Sequence, residues 1–414
     1  MPLRRRAATV LAAATALTAL TAPAALAAAP PAGLYGSGDP TYDGVWRQSY
    51  ALLALHTEGV TPGAAAVSWL TGQQCADGGF PSFRASTTTP CAPKAEDTNA
   101  TGIAVQALAA LGGHQAEVGK ATAWLKTVQN ADGGWSYNPG AASDPDSTAV
   151  VLGAFAATGT APESVRAGSG RTPYDALRGF QSGCAGKPAD RGAFTYPMNG
   201  KKAVNAKATT DAVRASQGAG FVVAPQAADS ASTAPGCTGS ADPYASLAPK
   251  ASGLAGAAWL AGQLSAGGQH LTAVTPGADK PTPDYGTTAD AVVALAAGGQ
   301  QTAAKAAYAW LAANAGAWAH GNPAALAQLV LAAHATGGDP RHAGGADLVT
   351  QLTNLGPAPA AASASATPSP SASPEHKKKD GGSGSVGTWL IVAVIFVASV
   401  GFGILLSTRK RRQV

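Results

Sequence analysis

The chain has 414 residues, only 12% of them charged, and a formal net charge of +5. That charge is unevenly placed. Residues 1–27 hold three arginines, residues 375–414 hold seven Lys/Arg against two acids, and residues 28–374 are left at −3. A basic nucleic-acid interface is therefore not expected on the body of the chain.

At the N-terminal end, Arg4, Arg5 and Arg6 precede an apolar run from Ala7 to Leu20, and Ala25-Leu26-Ala27 offers a small-residue cleavage site. This is the layout of a secretory signal peptide over 1–27, and the arginines also admit a twin-arginine export route. The body of the chain, 28–355, is read below as an all-α domain. Beyond it, 356–387 is rich in Pro, Ala, Ser and Lys without hydrophobic periodicity, which suits a semi-extended stalk. Trp389 to Leu406 then gives 18 uncharged, largely apolar residues. At ~1.5 Å per residue such a run just spans a hydrocarbon core. A transmembrane helix over 388–408 is expected, with the basic tail 409–414 cytoplasmic and the body extracytoplasmic, as in a single-pass type I membrane protein at a bacterial cell surface.

Four cysteines in an exported chain point to disulfides, with three connectivities possible. Cys75–Cys91 and Cys184–Cys237 are favoured, because Cys184 follows Gln181 much as Cys75 follows Gln74. No His or second Cys stands at CxxC-type spacing, so a metal site is not expected.

The body carries an internal repeat. Gln129-Asn130-Ala131-Asp132-Gly133-Gly134-Trp135 has a near-copy in Gln74-Cys75-Ala76-Asp77-Gly78-Gly79-Phe80. Each follows an apolar helix with a Trp-Leu pair, Trp69-Leu70 or Trp124-Leu125. Each precedes a helix opened by Asp, as at Asp97 and Asp146. In chain order, helices are expected near 43, 64, 97, 116, 146, 173, 207, 251, 286, 302, 322 and 344. A third unit is degenerate, with Gly192-Ala193-Phe194 replacing Gly-Gly-Trp, and is followed by an insertion over Phe221–Lys250. Asn322-Pro323 is read as an N-cap with proline at the first helical position. Twelve helices alternate between Asp/Thr/Asn-opened and plain types, so closure into six pairs is expected: an (α/α)6 toroid.

The Gln-x-x-Asp-Gly-Gly-Trp pattern with Asp-Thr-x-x-Ala helices resembles the prenyltransferase and squalene oxidase repeat of terpenoid cyclases and protein prenyltransferases, over nearly all of 40–355. The toroid it implies is also similar to that of cobalamin carriers of the transcobalamin and intrinsic-factor type. The resemblance implies the fold, and site chemistry has to choose among functions. Triterpene cyclases use Asp-x-Asp-Asp as their acid. Asp144-Pro145-Asp146-Ser147 lacks the last carboxylate, and Asp146 is read as an N-cap. Asp-Asp-x-x-Asp is absent, as are a zinc set and a Gly-Cys-Gly-Glu-Gln thioester. If the protein is an enzyme, Asp144 and Asp146 are its acid.

The loops entering the Asp-opened helices, about 75–96, 130–145, 182–206 and 265–285, are long and would share one rim. They and the helix starts bring Asp97, Asn99, Trp135, Tyr137, Asp146, Phe194, Tyr196, Thr209, Tyr285, Thr287 and Trp318 there as candidate ligand-binding residues, with Asn322 beside them. Arg191, Lys201, Lys202 and Lys207 would cluster in the third loop. An apolar wall with sparse polar groups suits a bulky amphipathic molecule. The expectation is a non-catalytic surface receptor, with cobalamin or another corrinoid as first ligand and a membrane transporter as partner. A terpenoid or prenyl-lipid enzyme and a protein-interaction module are the alternatives.

Overall fold

The computed structural model describes residues 32–361 apart from 93, 199, 231–233, 239 and 275–278. The expected signal peptide, nearly all of the stalk, the membrane helix and the basic tail lie outside the described residues. Among those residues no helix is long and apolar enough to cross a membrane.

Thirteen α-helices are described, with a few very short strands. Six form one set: α1 (Gly44–Thr57), α3 (Thr98–Leu111), α5 (Pro145–Ala157), α7 (Ala206–Ser216), α9 (Tyr285–Ala297) and α12 (Pro323–Thr336). They touch in a closed cycle, α1 on α3, α3 on α5, α5 on α7, α7 on α9, α9 on α12 and α12 on α1. The other set is α2 (Ala64–Gly72), α4 (Gln115–Thr127), α6 (Pro173–Arg178), α8 (Pro249–Ala266), α10 (Gln301–Asn314) and α13 (Leu348–Thr353), each packed on the cycle helix that precedes it in the chain.

Burial separates the two sets. In α3 every residue from Ala100 to Leu108 is buried, whereas α4 buries only Ala121, Trp124 and Leu125. A helix buried all round belongs inside, and one with a single apolar stripe belongs outside. The two ends of the described segment meet where the cycle closes. Gly36 N–H donates to Leu355 O at 2.8 Å, and Ala360 N–H donates to Thr61 O at 3.0 Å.

One helix beyond the expected twelve appears, α11 (Gly316–Ala319), a single turn in the connection to α12. The long loops also fold into small antiparallel pairs that apolar patterning does not reveal: β1 (Phe80–Pro81) with β2 (Glu96–Asp97), β3 (Thr195–Met198) with β4 (Lys201–Val204), and β5 (Thr272–Ala273) with β6 (Thr282–Pro283). Both favoured disulfides are present, Cys75–Cys91 and Cys184–Cys237.

The repeated loop motif explains itself. Gln74 and Gln129 donate their side-chain amides to Gly78 O and Gly133 O, at 3.0 and 2.8 Å. Asp77 and Asp132 accept from the N–H groups of Gly79 and Gly134, at 3.2 and 3.0 Å. Gly133 has φ +92°, and a Cβ there would collide with Thr172 O at the start of α6. Only glycine combines that backbone with that approach.

The aromatic residue then ties the loop to the next cycle helix. Phe80, Trp135 and Phe194 each donate a backbone N–H to a threonine hydroxyl, Thr101, Thr148 and Thr209, at 2.8, 3.0 and 2.9 Å. Leu271 and Thr288 repeat the bond at 3.0 Å. Each threonine stands four residues past the N-cap, so cap, loop and helix form one self-satisfied unit.

The insertion after α7 crosses the face formed by the C-terminal ends of the cycle helices. Phe221 N–H donates to Gln106 Oε1 of α3 at 2.9 Å, and Ser230 N–H donates to Gly299 O, just past α9, at 2.7 Å. The Phe221 ring enters the cycle from below. It lies 3.8 Å under the Arg214 guanidinium and 4.9 and 5.7 Å from the rings of Tyr50 and Trp46.

Candidate functional site

The N-terminal ends of α1, α3, α5 and α7 surround a cavity of about 280 Å³. Its wall includes Tyr42, Asp43 and Trp46 from the first helix start, Ser82 and Tyr137 from two loops, and Asp97, Asn99, Asp146, Lys207 and Asp211. Of the candidate ligand-binding residues, it gathers Asp97, Asn99, Tyr137 and Asp146.

Asp97 caps α3, accepting from Ala100 N–H at 2.5 Å through one oxygen and from Ser82 Oγ at 2.9 Å through the other. The Tyr137 hydroxyl lies 3.0 Å from Ser82 Oγ, which leaves the phenol O–H to donate to the serine. The Tyr137 backbone carbonyl accepts from Thr98 N–H at 3.2 Å, fixing the second loop over the start of α3. Burial raises the Asp97 carboxyl to about 6 despite these bonds.

Asp146 corrects a sequence expectation. The cap of α5 is Asp144, which accepts from Ser147 N–H and Ser147 Oγ, both at 2.7 Å. Asp146 sits two residues further on, inside the first turn, and lines the cavity. Its Oδ1 is shut off from solvent with no hydrogen-bond partner. Proline at Pro145 occupies the first helical position and shifts the cap one step back from it, which frees Asp146. Burial, and next the charge of Asp211, raise the Asp146 carboxyl to about 7. Burial likewise raises Asp144.

The floor of the cavity is a charge cluster that the sequence reading missed. Lys207 Nζ bridges Asp211 at 2.5 Å and Asp290 at 3.2 Å. Arg214 Nη2 meets the other oxygen of Asp211 at 3.0 Å, and Gln328 donates to Asp290 at 3.1 Å. Burial alone would depress the Lys207 ammonium, but Asp211, Asp290 and Asp146 together push it above its ordinary value. The expected cluster of Arg191, Lys201, Lys202 and Lys207 does not form: Lys207 turns inward on α7, and Lys202 lies over the Phe180 ring and donates to Gly179 O.

These floor residues share a register. Counted from the caps, Asn99, Asp146 and Lys207 stand two positions on, and Asp211, Asp290 and Gln328 stand six on. Positions four apart share one helix face, so aligning the helices on their caps selects this set as polar and mutually facing.

The remaining candidates go elsewhere. Trp135 is fully buried with its indole N–H donating to Leu125 O at 2.7 Å, and Phe194 is fully buried in the core. Thr209 is buried and donates to Asn205 O at 2.7 Å, so its hydroxyl is structural. Tyr196 lies half-buried on β3 against the core around Phe180 and Phe194. Thr287 N–H completes the Asp284 cap at 2.9 Å, and Asn322 caps α12 as expected. Tyr285 and Trp318 stack at 5.7 Å, and Trp310 and His270 continue the stack. Neither ring lines the cavity. His, Cys, Asp and Glu come together at metal-ligand spacing only at Cys75, Cys91 and Glu96 among the described residues, and both cysteines there are bridged. No family model matches the chain, and no curated protein matches its sequence.

Proposed function

We propose that this protein is a membrane-anchored, extracytoplasmic (α/α)6 toroid of the prenyltransferase and squalene oxidase repeat type that binds a ligand without transforming it. The closed cycle of six helices with six partners outside it supports the toroid. The sequence ends support the anchored location. One observation carries the binding role: the cavity at the N-terminal rim is walled by aromatic and acidic side chains, with Tyr42 86% and Tyr137 43% exposed. Aromatic surface left open at the mouth of a recessed, largely apolar cavity with a few acidic groups is what a bulky amphipathic ligand requires.

A corrinoid is larger than the cavity's 280 Å³, so its body would lie across the rim with one projecting group inside. From there it would pass to a membrane transporter. A terpenoid cyclase finds less support. The space beside Asp146 is too small for a folded triterpene precursor, and the middle of the helix cycle is filled by Arg214, Phe221 and Tyr50.

Titrating the full chain in detergent micelles with cobalamin, followed by visible absorbance, tests the reading. Saturable binding at micromolar concentration or tighter, weakened about tenfold by Tyr137→Ala, is expected. An absence of saturation with cobalamin and related corrinoids would remove the corrinoid from the proposal.

A further inference from the structure

The rim cavity combines two features that together select a ligand chemistry. The first is its charge. Lys207 and Arg214 are two cations beside three carboxyls, Asp146, Asp211 and Asp290, of which burial lets Asp146 hold a proton up to about 7. Asp43 is matched by Arg47 at 2.9 Å. Asp97, only 3% exposed, has hydrogen-bond donors but no cation. The walls therefore hold more carboxyls than cations, and Asp146 Oδ1 is buried without a donor. An anion would face these carboxyls with Lys207 already paired, whereas a cation can be answered by ionising Asp97 and Asp146.

The second feature is the mouth. Tyr42, Trp46 and Tyr137 line it with ring surface. Aromatic faces around carboxylates attract a diffuse cation through the ring quadrupole and add contact area, whereas a small hard ion gains more from a ring of oxygens. Asp97 and Asp146 do not form a metal-sized group with any third ligand among the described residues. An organic cation fits both features.

We infer that the rim cavity recognises an organic ammonium group, held over the carboxylates of Asp97 and Asp146 and ringed by Tyr42, Trp46 and Tyr137. The inference rests on reading this rim as a ligand site, and it names a ligand class other than a corrinoid, whose projecting groups are amides and a phosphate. The fold already solves the same recognition once: the Lys207 ammonium sits between Asp211 and Asp290 one layer below. Ammonium binding above Asp97 and Asp146 would expel protons from them, since burial leads both to hold protons well above the ordinary carboxylate range.

The test is calorimetric titration of the full chain in micelles with choline, with phenethylammonium, and with the neutral choline isostere 3,3-dimethylbutan-1-ol. At least one ammonium compound should saturate the site with proton release at pH 6.5, and the isostere should bind at least about tenfold more weakly. Asp146→Asn should weaken ammonium binding by a similar factor. Tyr42→Ala should weaken it a few-fold; that side chain is 86% exposed, so the variant keeps the fold. Equal binding of the isostere, unchanged binding in both variants, or no saturation by either ammonium compound would overturn the inference. Cobalamin binding without binding of either ammonium compound would overturn it while leaving the receptor proposal standing. Ammonium binding without corrinoid binding would support the inference and remove the corrinoid alone.

Discussion

The Gly-Gly-aromatic loops and the charged middle of the helix cycle are built on opposite terms. In the loop Gln129–Trp135 the motif's own polar groups are answered within the unit or by its own helix: Gln129 on Gly133, Asp132 on Gly134, Trp135 on Thr148 and Leu125. The middle of the cycle draws Asp146, Lys207, Asp211, Arg214, Asp290 and Gln328 from four helices and still leaves Asp146 Oδ1 unanswered. The repeated motif is therefore scaffold. The charged groups lie where the repeats differ, above all on α7, whose unit has a degenerate motif and supplies Lys207, Asp211 and Arg214. A signature that recurs in several units serves what those units share, which is closure of loop on helix.

Removing Asp211 should break this contrast hardest. Asp211 is fully buried and answers both Lys207 and Arg214, the latter 2% exposed. Asp211→Ala strands Arg214 and leaves Lys207 with Asp290 alone, and breaking a buried pair this way costs ~4 kcal/mol. Chemical denaturation should show the loss, and a loss below ~1 kcal/mol would mean that water reaches the cluster freely. The loop should respond next. Gly133→Ala combines φ +92° with a collision against the backbone of Thr172, for which ~3 kcal/mol is expected. Gly59→Ala is its control: φ is +72° with open space around the added Cβ, so only the ~1 kcal/mol cost of a left-handed backbone remains. Equal losses at the two glycines would show that close approach to the next unit contributes nothing.

The same contrast decides what could be read from the residues alone. Local rules expose local structure. Asp97 and Asn322 were identifiable as caps, Gly-Gly marked the turns, and the similar placing of Cys75 and Cys184 anticipated both bridges. Asp146 was assigned the cap that Asp144 holds, because the Asp-x-Asp pair offers two candidates and only the geometry of Pro145 separates them. Trp135, Phe194 and Thr209 looked like rim residues by position, yet their partners lie inward. The charge cluster escaped notice because its members are far apart in sequence, and because a lysine after a loop reads as solvated. The registry of two and six positions past each cap was present in the sequence, but it only becomes meaningful once the capped helices are known to face one another.

The smallest expected effect has the opposite sign and tests Asp146 directly. Its carboxyl is raised to about 7, by burial first and then by Asp211, with Asp144 and Asp290 acting in the same direction and Lys207 against it. Between pH ~4 and ~7 the folded protein keeps a proton on Asp146 that the unfolded chain has released, so stability falls as pH rises through that window. Asp97, raised to about 6, adds the same slope over its lower part. Asp146→Asn deletes the first contribution and leaves the second. Wild type and variant should then be nearly equally stable at pH 4. At pH 8 the variant should be the more stable, by ~1 kcal/mol, because Asp146 is only partly buried and solvent screens much of the shift. Denaturant midpoints measured at both pH values give the comparison. A variant less stable at pH 8 would mean that ionised Asp146 is answered by Lys207 after all, and that Asp97 is the one cavity carboxyl among these without a cation.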